Sequence, residues 1–359
     1  MKFNPGKPYN KLPDILPNER YWRLLSIYEQ VNKANRAMAE LKGRLSAIPN
    51  PDIFINTLSL QEAKDSSSIE NVLTTNDKLF KAFTLDSTAD PHTKEVLRYG
   101  KALVDGFGVI KSGKKFSVEL IEIIYRNIKK ENDGIRDFSV YIGSDYRKIY
   151  TPPCCRDVIL DKLNNWISVA NLKSDEIDPL IKMAILHYQF EAIHPFKDGN
   201  GRTGRVINVL LLSAYGLLDD PVLLYISKYI NEHRSAYYRL LMGVTENNNW
   251  EDWILFMLKA VEKTSKYTLG KIFNIIELFN NTKEKIQGEA PEIYSFELLE
   301  TLFTQVYCKY SFLIEKGIAS RNTASKYLNI LVGIGILEKE KVKSEFIFKN
   351  KGLYEILKK

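Results

Sequence analysis

Residues 194–205 read HPFKDGNGRTGR, that is His194-Pro195-Phe196-Lys197-Asp198-Gly199-Asn200-Gly201-Arg202-Thr203-Gly204-Arg205. What lies upstream of this run decides the fold. Gly199, Gly201 and Gly204 satisfy the G-x-G-x-x-G spacing of a dinucleotide-binding turn, and Asp219 follows about 20 residues on. That fingerprint has to follow a β-strand. Here Ile181, Ala184, Ile185 and Tyr188 recur at the spacing of one helix face. Helix, loop, helix is not a βαβ unit, so a Rossmann sheet is set aside. The lack of Gly-Lys-Ser/Thr in the run sets aside a Walker A loop as well.

The chemistry of the run survives. A glycine-rich loop entering a helix N-terminus presents unpaired N–H groups to an anion. Arg202 and Arg205 are three apart and share a face of the following helix. Two guanidiniums beside such a nest suit a polyphosphate. Asp198 adjoins the nest, where a lone carboxylate repels phosphate; a Mg²⁺ bridging the two resolves the conflict. A neutral His194 at the start of the loop is placed to take a proton from an attacking hydroxyl. Cradle, metal carboxylate and base together describe transfer from a nucleotide to an alcohol. The plainer alternative is a helix-connecting turn with solvated polar side chains.

Outward from the loop, helical periodicity is expected at 20–45, 53–63, 94–109, 118–128, 156–170, 178–192, 202–215, 231–243 and from Trp250 to about Asn280. Residues 134–153, with Val140, Ile142 and Ile149 around Gly-Ser-Asp and a closing Pro pair, predict a short β-hairpin. The arm to Pro17 reads as extended, and 281–292, NTKEKIQGEAPE, as a linker. Beyond it, helices at 295–306 and 308–316, then GIASRNTASKYLNILVGIGILEKEK and the alternating SEFIFKNK, follow winged-helix order. The expected class is mainly α: a helical core with a β-hairpin flap and a C-terminal winged helix. The expected divisions are 1–90, 91–280 and 281–359.

Composition agrees with a folded soluble chain. The net charge of +7 permits an anionic ligand without demanding nucleic acid. Cys154, Cys155 and Cys308 are too few and too irregular for a disulfide framework, and the adjacent pair reads as half-buried thiols. No apolar run is long enough to span a membrane and the N-terminus lacks a signal-type core, so the cytoplasm is the expected compartment.

The twelve residues resemble the full signature of Fic-domain adenylyltransferases, HPFx(D/E)GNGRxxR. The likeness extends to the flap-like IRDFSVYIGSDYRKIYTPP (135–153), to 225–258 and to IPNPDIFINTLSLQEAKDSSSIEN (48–71). The resemblance implies that His194 deprotonates a target hydroxyl and that Asp198 holds Mg²⁺ on the α- and β-phosphates of ATP. Asn200 with the amides of Gly199 and Gly201 would orient the α-phosphate. Arg202 and Arg205 would bind the outer phosphates, with Thr203 and Gly204 completing the loop. Ile142, Gly143, Ser144 and Asp145 would form the flap edge over the nucleotide, an edge that can hold a target segment by strand addition. Tyr237 and Tyr238 would lie near the adenine. Thr245 stands where some relatives place Asn. A related phosphorylating branch carries Lys where this chain has Gly201, so AMP transfer to a Tyr, Ser or Thr of a target protein, or of the chain itself, is the implied reaction.

Ser67-x-x-Glu70 satisfies a capping box. The same stretch resembles the family's inhibitory motif, (S/T)xxxE(G/N), through Ser66, Glu70 and Asn71, which implies that Glu70 pairs with Arg205 and occupies the γ-phosphate position. His187 reads as a packed helix histidine, Arg136 as support for the flap, and Trp250 with Trp253 as core. The recognition-helix stretch Arg321–Val332 begins with Arg321, Asn322, Thr323, Ser325 and Lys326, which leaves DNA, a protein or a second copy of the chain as its partner. The remaining alternatives are transfer of another nucleotide, removal of AMP, or a DNA-binding regulator whose Fic domain senses nucleotide.

Overall fold

A computed structural model of the chain describes residues 3–45, 52–85, 89–144, 146–172, 176–218 and 224–358. Five helices come first: α1 (Leu25–Leu45), α2 (Asp52–Ile69), α3 (Asn76–Leu85), α4 (Pro91–Lys111) and α5 (Val118–Lys129). The hairpin β1 (Ile142–Ser144) and β2 (Arg147–Tyr150) follows. Next come α6 (Arg156–Asn171), α7 (Pro179–Ile193), α8 (Asn200–Ala214), α9 (Ile226–Glu232), α10 (Arg234–Asn247) and α11 (Trp250–Glu289).

Side chains set the helix ends. Asp90 accepts from Thr93 N ahead of Pro91, Ser117 from Leu120 N, and Asp178 from Leu180 N ahead of Pro179. Each satisfies a donor that the first turn leaves open. Thirteen of the fifteen residues of α7 are buried, which makes it the central helix. The buried indoles of Trp166 and Trp253 donate to its Leu186 and Ala184 carbonyls, at 2.8 Å each. Trp250 is buried too, as expected of a core pair.

Three expectations need correction. The helix expected at 53–63 runs on to Ile69, so Ser66 and Ser67 are fully buried in its last turn and do not start a helix. Their small size lets α2 pack closely against neighbouring helices, and burial overrides their preference for caps. The helix expected at 231–243 is two helices, α9 and α10, broken at His233, whose φ of −119° and ψ of 33° leave the helical region. Residues 281–292 do not form a linker: α11 continues to Glu289, with Thr282 and Ile286 buried. Its polar composition reflects a helix with one narrow buried stripe.

The C-terminal unit comprises α12 (Phe296–Thr304), β3 (Tyr307–Cys308), α13 (Tyr310–Glu315), α14 (Arg321–Gly333), β4 (Leu337–Val342), β5 (Glu345–Asn350) and α15 (Lys351–Lys358). Its antiparallel sheet has the order β3-β5-β4. Arg321, Asn322 and Lys326 are exposed at the start of α14. The unit packs on α2 and α3. Tyr307 donates to Asp77 at 2.6 Å and Lys81 pairs with Glu340 at 2.6 Å. No helix among the described residues is long and apolar enough to cross a membrane.

Candidate active site

The loop begins where α7 ends. His194 caps α7 in the left-handed region (φ 49°, ψ 61°). Its Nδ1 lies 3.3 Å from the Glu191 carbonyl. A carbonyl only accepts, so Nδ1 carries the proton and Nε2 is the free acceptor. Burial, then the Arg136 guanidinium, push this imidazole down to about 4. Arg136 is buried and donates to the His194, Phe138 and Pro153 carbonyls at 2.7–2.9 Å. It thus ties the foot of the flap to the backbone of His194.

Gly199 turns the chain into α8 with φ 76°. Both polar atoms of the Asn200 side chain bond the Phe196 backbone, each at 2.8 Å. Asn200 is therefore spent on holding the loop in shape, and so is the Gly199 amide, which donates to Asp198 Oδ1 at 2.7 Å; the donors left for a ligand are the amides of the first turn of α8. Thr203 Oγ1 donates to the Gly199 carbonyl at 2.9 Å. Gly204 lets α8 approach α7, since a Cβ there would lie 2.6 Å from Glu191 Oε1.

Glu70 follows the last turn of α2 and reaches both arginines. Its Oε2 accepts from Arg202 Nε at 2.7 Å and its Oε1 from Arg205 at 2.8 Å. Burial would raise its carboxyl; Arg205 and Arg202 outweigh that and hold it below the usual range. Ser66 completes the grip on Arg205, with Oγ and carbonyl accepting at 2.8 and 2.9 Å. Asn71, two residues past α2, lies in the left-handed region (φ 63°) and accepts from Arg234 at 3.0 Å. Arg202 also pairs with Glu95, and Lys129 bridges Glu95 and Asp198 at 3.3 and 2.6 Å. Lys129, Arg202 and Arg205 face Glu70, Glu95 and Asp198, so three cations balance three anions.

Above the loop, β1 and β2 pair antiparallel with a bulge between Ile142 and Gly143. Gly143 has φ 129°, and a Cβ there would lie 2.3 Å from the Arg147 carbonyl, so the hairpin needs glycine at this point. Between flap, loop and α10 lies a cavity of about 530 Å³. Its lining joins polar groups, with His194, Asp198, Gly201, Arg205 and Glu70, to apolar ones, with Ile149, Tyr238, Leu241 and Met242.

The cavity gathers Glu70, Ile142, His194, Asp198, Gly199, Asn200, Gly201, Arg205, Tyr237 and Tyr238. Arg202, Thr203, Gly204, Ser66, Asn71, Gly143 and Ser144 support it from behind or from the flap. Asp145 lies outside the described residues. Tyr237 is buried with its hydroxyl 2.9 Å from His187 Nε2, so His187 is a packed helix histidine as expected. Thr245 bonds the Tyr188 hydroxyl at 2.9 Å at the cavity wall. Sequence reading missed Glu95, Lys129 and Glu191. The first two lie 107 and 69 residues from their partners, with no local signal. Glu191, three residues before His194, gave a positional hint. Burial pushes it up to about 8, and its Oε1 has no hydrogen-bond partner among the described residues.

Asp198 is the one cavity carboxylate placed for a cation. Its side chain is 61% exposed, and the described residues hold no group of three or more His, Cys, Asp or Glu that could cage a metal. A single carboxylate supplemented by phosphate oxygens is the way Mg²⁺ is commonly held, so the residues fit that ion.

Fold and site define a helical protein with a glycine-rich loop at a helix N-terminus, a half-buried histidine at the start of that loop and a β-hairpin over a cavity of about 530 Å³. Profiles described as Fic/DOC family N-terminal, Fic/DOC family, and protein adenylyltransferase SoFic-like C-terminal domain match residues 28–108, 115–212 and 278–353. The chain belongs to the Fic/DOC family. It is 28% identical to protein adenylyltransferase fic-1 of Caenorhabditis elegans over 165 residues, covering 45% of this chain and 30% of that protein. It is 26% identical to a probable protein adenylyltransferase of Aquifex aeolicus over 237 residues, covering 64% of this chain and 66% of that protein. The chain thus spans less than a third of the first curated relatives it matches. A Fic family protein from Desulfovibrio desulfuricans has a similar fold, with TM-score 0.57 and 18% identity over 94% of this chain and 98% of that one. Residues 134–508 of Fic-1 from C. elegans give TM-score 0.52 and 20% identity over 67% and 72%.

Proposed function

We propose that the chain is a protein adenylyltransferase that moves AMP from ATP to a side-chain hydroxyl of a target protein or of itself, and that Glu70 holds it inactive. One observation carries this reading: the Glu70 carboxylate sits between Arg202 and Arg205 in the cavity that also holds His194.

The chemistry follows from the residues. His194 Nε2 takes the proton as the hydroxyl oxygen bonds the α-phosphorus, and the bond to the departing pyrophosphate breaks. Negative charge gathers on oxygens that the amide at Gly201 and the two arginines are placed to meet, so preorganised donors lower the barrier. Asp198 would hold Mg²⁺, which when bound neutralises phosphate charge. The apolar part of the lining, with Tyr238, Leu241 and Met242, suits a purine. The balance of three cations against three anions explains the restraint. A triphosphate entering that cluster meets no spare positive charge while Glu70 stays. Displacing Glu70 frees two guanidiniums for the outer phosphates.

The test is label transfer from α-³²P-ATP with Mg²⁺ to parent, Glu70→Gly and Glu70→Gly/His194→Ala proteins. Strong labelling in Glu70→Gly, at least tenfold above the other two, is expected. Equal labelling of parent and Glu70→Gly would remove the inhibitory role. Label from γ-³²P alone would make the reaction phosphorylation. Nucleotide binding without label in any protein would favour a nucleotide-sensing regulator.

A further inference from the structure

At the foot of the flap, two adjacent cysteines face each other. Cys155 Sγ lies 3.6 Å from Cys154 Sγ. Cys155 is exposed and Cys154 half-buried, whereas Cys308 is buried. The pair reads from sequence as half-buried thiols; Cys155 is open to solvent because it is the N-cap of α6 and turns the chain outward. Its backbone is unusual for a side chain bearing a Cβ, with φ 74° and ψ 135°, and its thiol makes no capping bond. Three neighbours hold this turn. Cys154 N donates to Asn10 Oδ1 at 2.8 Å, Arg156 N to Asp137 Oδ1 at 2.9 Å, and Arg136 to the Pro153 carbonyl at 2.7 Å.

We propose that Cys154 and Cys155 form a vicinal dithiol that hydrogen peroxide closes to a disulfide, and that closure is felt by the flap through Pro153 and Arg136. The step balances. A thiolate sulfur attacks peroxide oxygen, giving a sulfenic acid and water once a proton is taken up. The second sulfur then attacks the first, the S–S bond forms, and a second water leaves. Two thiols lose two electrons and two protons, and peroxide is reduced to two waters. The Cys154 sulfur accepts the Cys155 S–H, and with Asp137 and Asp157 nearby this pushes the Cys155 thiol up. Whichever sulfur attacks first, the other lies within reach to resolve it. The sulfurs need to close by only about 1.5 Å to reach bonding distance. Adjacent Cα atoms lie about 3.8 Å apart, closer than the roughly 4.4–6.8 Å usual for disulfides. The product is thus a strained, exposed bond that small thiols reopen, the type suited to reversible modification.

The strain is delivered where it matters. Cys154 follows Pro153, whose carbonyl Arg136 holds together with those of Phe138 and His194. Turning the Cys154–Cys155 peptide to close the ring pulls on that shared anchor.

The experiment treats the full chain with dilute hydrogen peroxide and reads intact mass, peptide map and hydrogen exchange of residues 138–150. The expected result is loss of two hydrogens, a link between Cys154 and Cys155, reversal by dithiothreitol, and altered exchange in the flap. Cys308→Ser should close like the parent. Cys154→Ser and Cys155→Ser, with melting curves like the parent, should instead accumulate oxygen on the remaining cysteine. Independent oxidation of both cysteines in the parent, or disulfide-linked dimers, would overturn the proposal. A closed ring with unchanged flap exchange would overturn its link to the flap. None of these readings depends on adenylyl transfer.

Discussion

A methyl group at residue 201 would lie 2.2 Å from Glu70 Oε1 and 2.8 Å from an Arg205 nitrogen. That single absence of a side chain lets an anion, whether carboxylate or phosphate, come down onto the start of α8. The role of the neighbouring histidine has a measurable signature. Burial and Arg136 push His194 down to about 4 from the roughly 6.5 of a free imidazole. A lowered histidine value keeps the base neutral well into acid. Transfer by Glu70→Gly should therefore be level from about pH 6 to 8 and fall as pH drops through about 4. A break near 6.5 in kcat/KM would show an imidazole that titrates as it does in water. At this scale the sequence was informative because His194 to Arg205 are contiguous, and a helix N-terminus organises them without help from distant chain. The same logic failed for Asn200. Its side chain can face ligand or loop, and only the fold shows that it bonds Phe196.

At the scale of elements, the flap depends on one buried side chain. Arg136 satisfies the carbonyls of Phe138, Pro153, Ile193 and His194. Arg136→Met should leave several of them unpartnered and cost roughly 3–5 kcal/mol in urea unfolding, since each buried orphan costs about 1–3 kcal/mol. Losing the positive charge also relaxes the His194 shift upward. Arg136→Lys should fall between, because an ammonium cannot span the same carbonyls; equal stability of all three proteins would show the flap anchored elsewhere. Periodicity located α4 to α8 within a few residues; α4, α5 and α7 have a capping side chain at their start, and α6 and α8 follow the turn-forming Pro153 and Gly199. It missed the end of α2, because buried serines look like a cap, and the end of α11, because a long helix with one narrow buried stripe looks polar.

At the scale of the molecule, the C-terminal unit rests on the segment that carries Glu70. Tyr307 and Glu340 bond Asp77 and Lys81 of α3, the helix that follows α2 after residues 70–75. Tyr307→Phe removes a bond to a carboxylate worth about 1–2 kcal/mol. It should speed hydrogen exchange across residues 66–85 and raise label transfer above the parent while staying below Glu70→Gly. Unchanged exchange there would mean that the contact bears no load. None of this was readable from sequence: Asp77 and Tyr307 are 230 residues apart, and their pairing follows only from how the helices stack.

α11 passes from Trp250 in the core to Glu289 beside the C-terminal unit as one helix of 40 residues. A rod of that length is about 60 Å long and does not fold back. A flexible tether would let anything bound to the C-terminal unit wander past the cavity at a modest effective concentration, whatever its size. Here the helix and the bonds of the C-terminal unit to α3 fix that unit at one place on the core. On the proposed function, a target held there would present its hydroxyls at one set distance from the cavity.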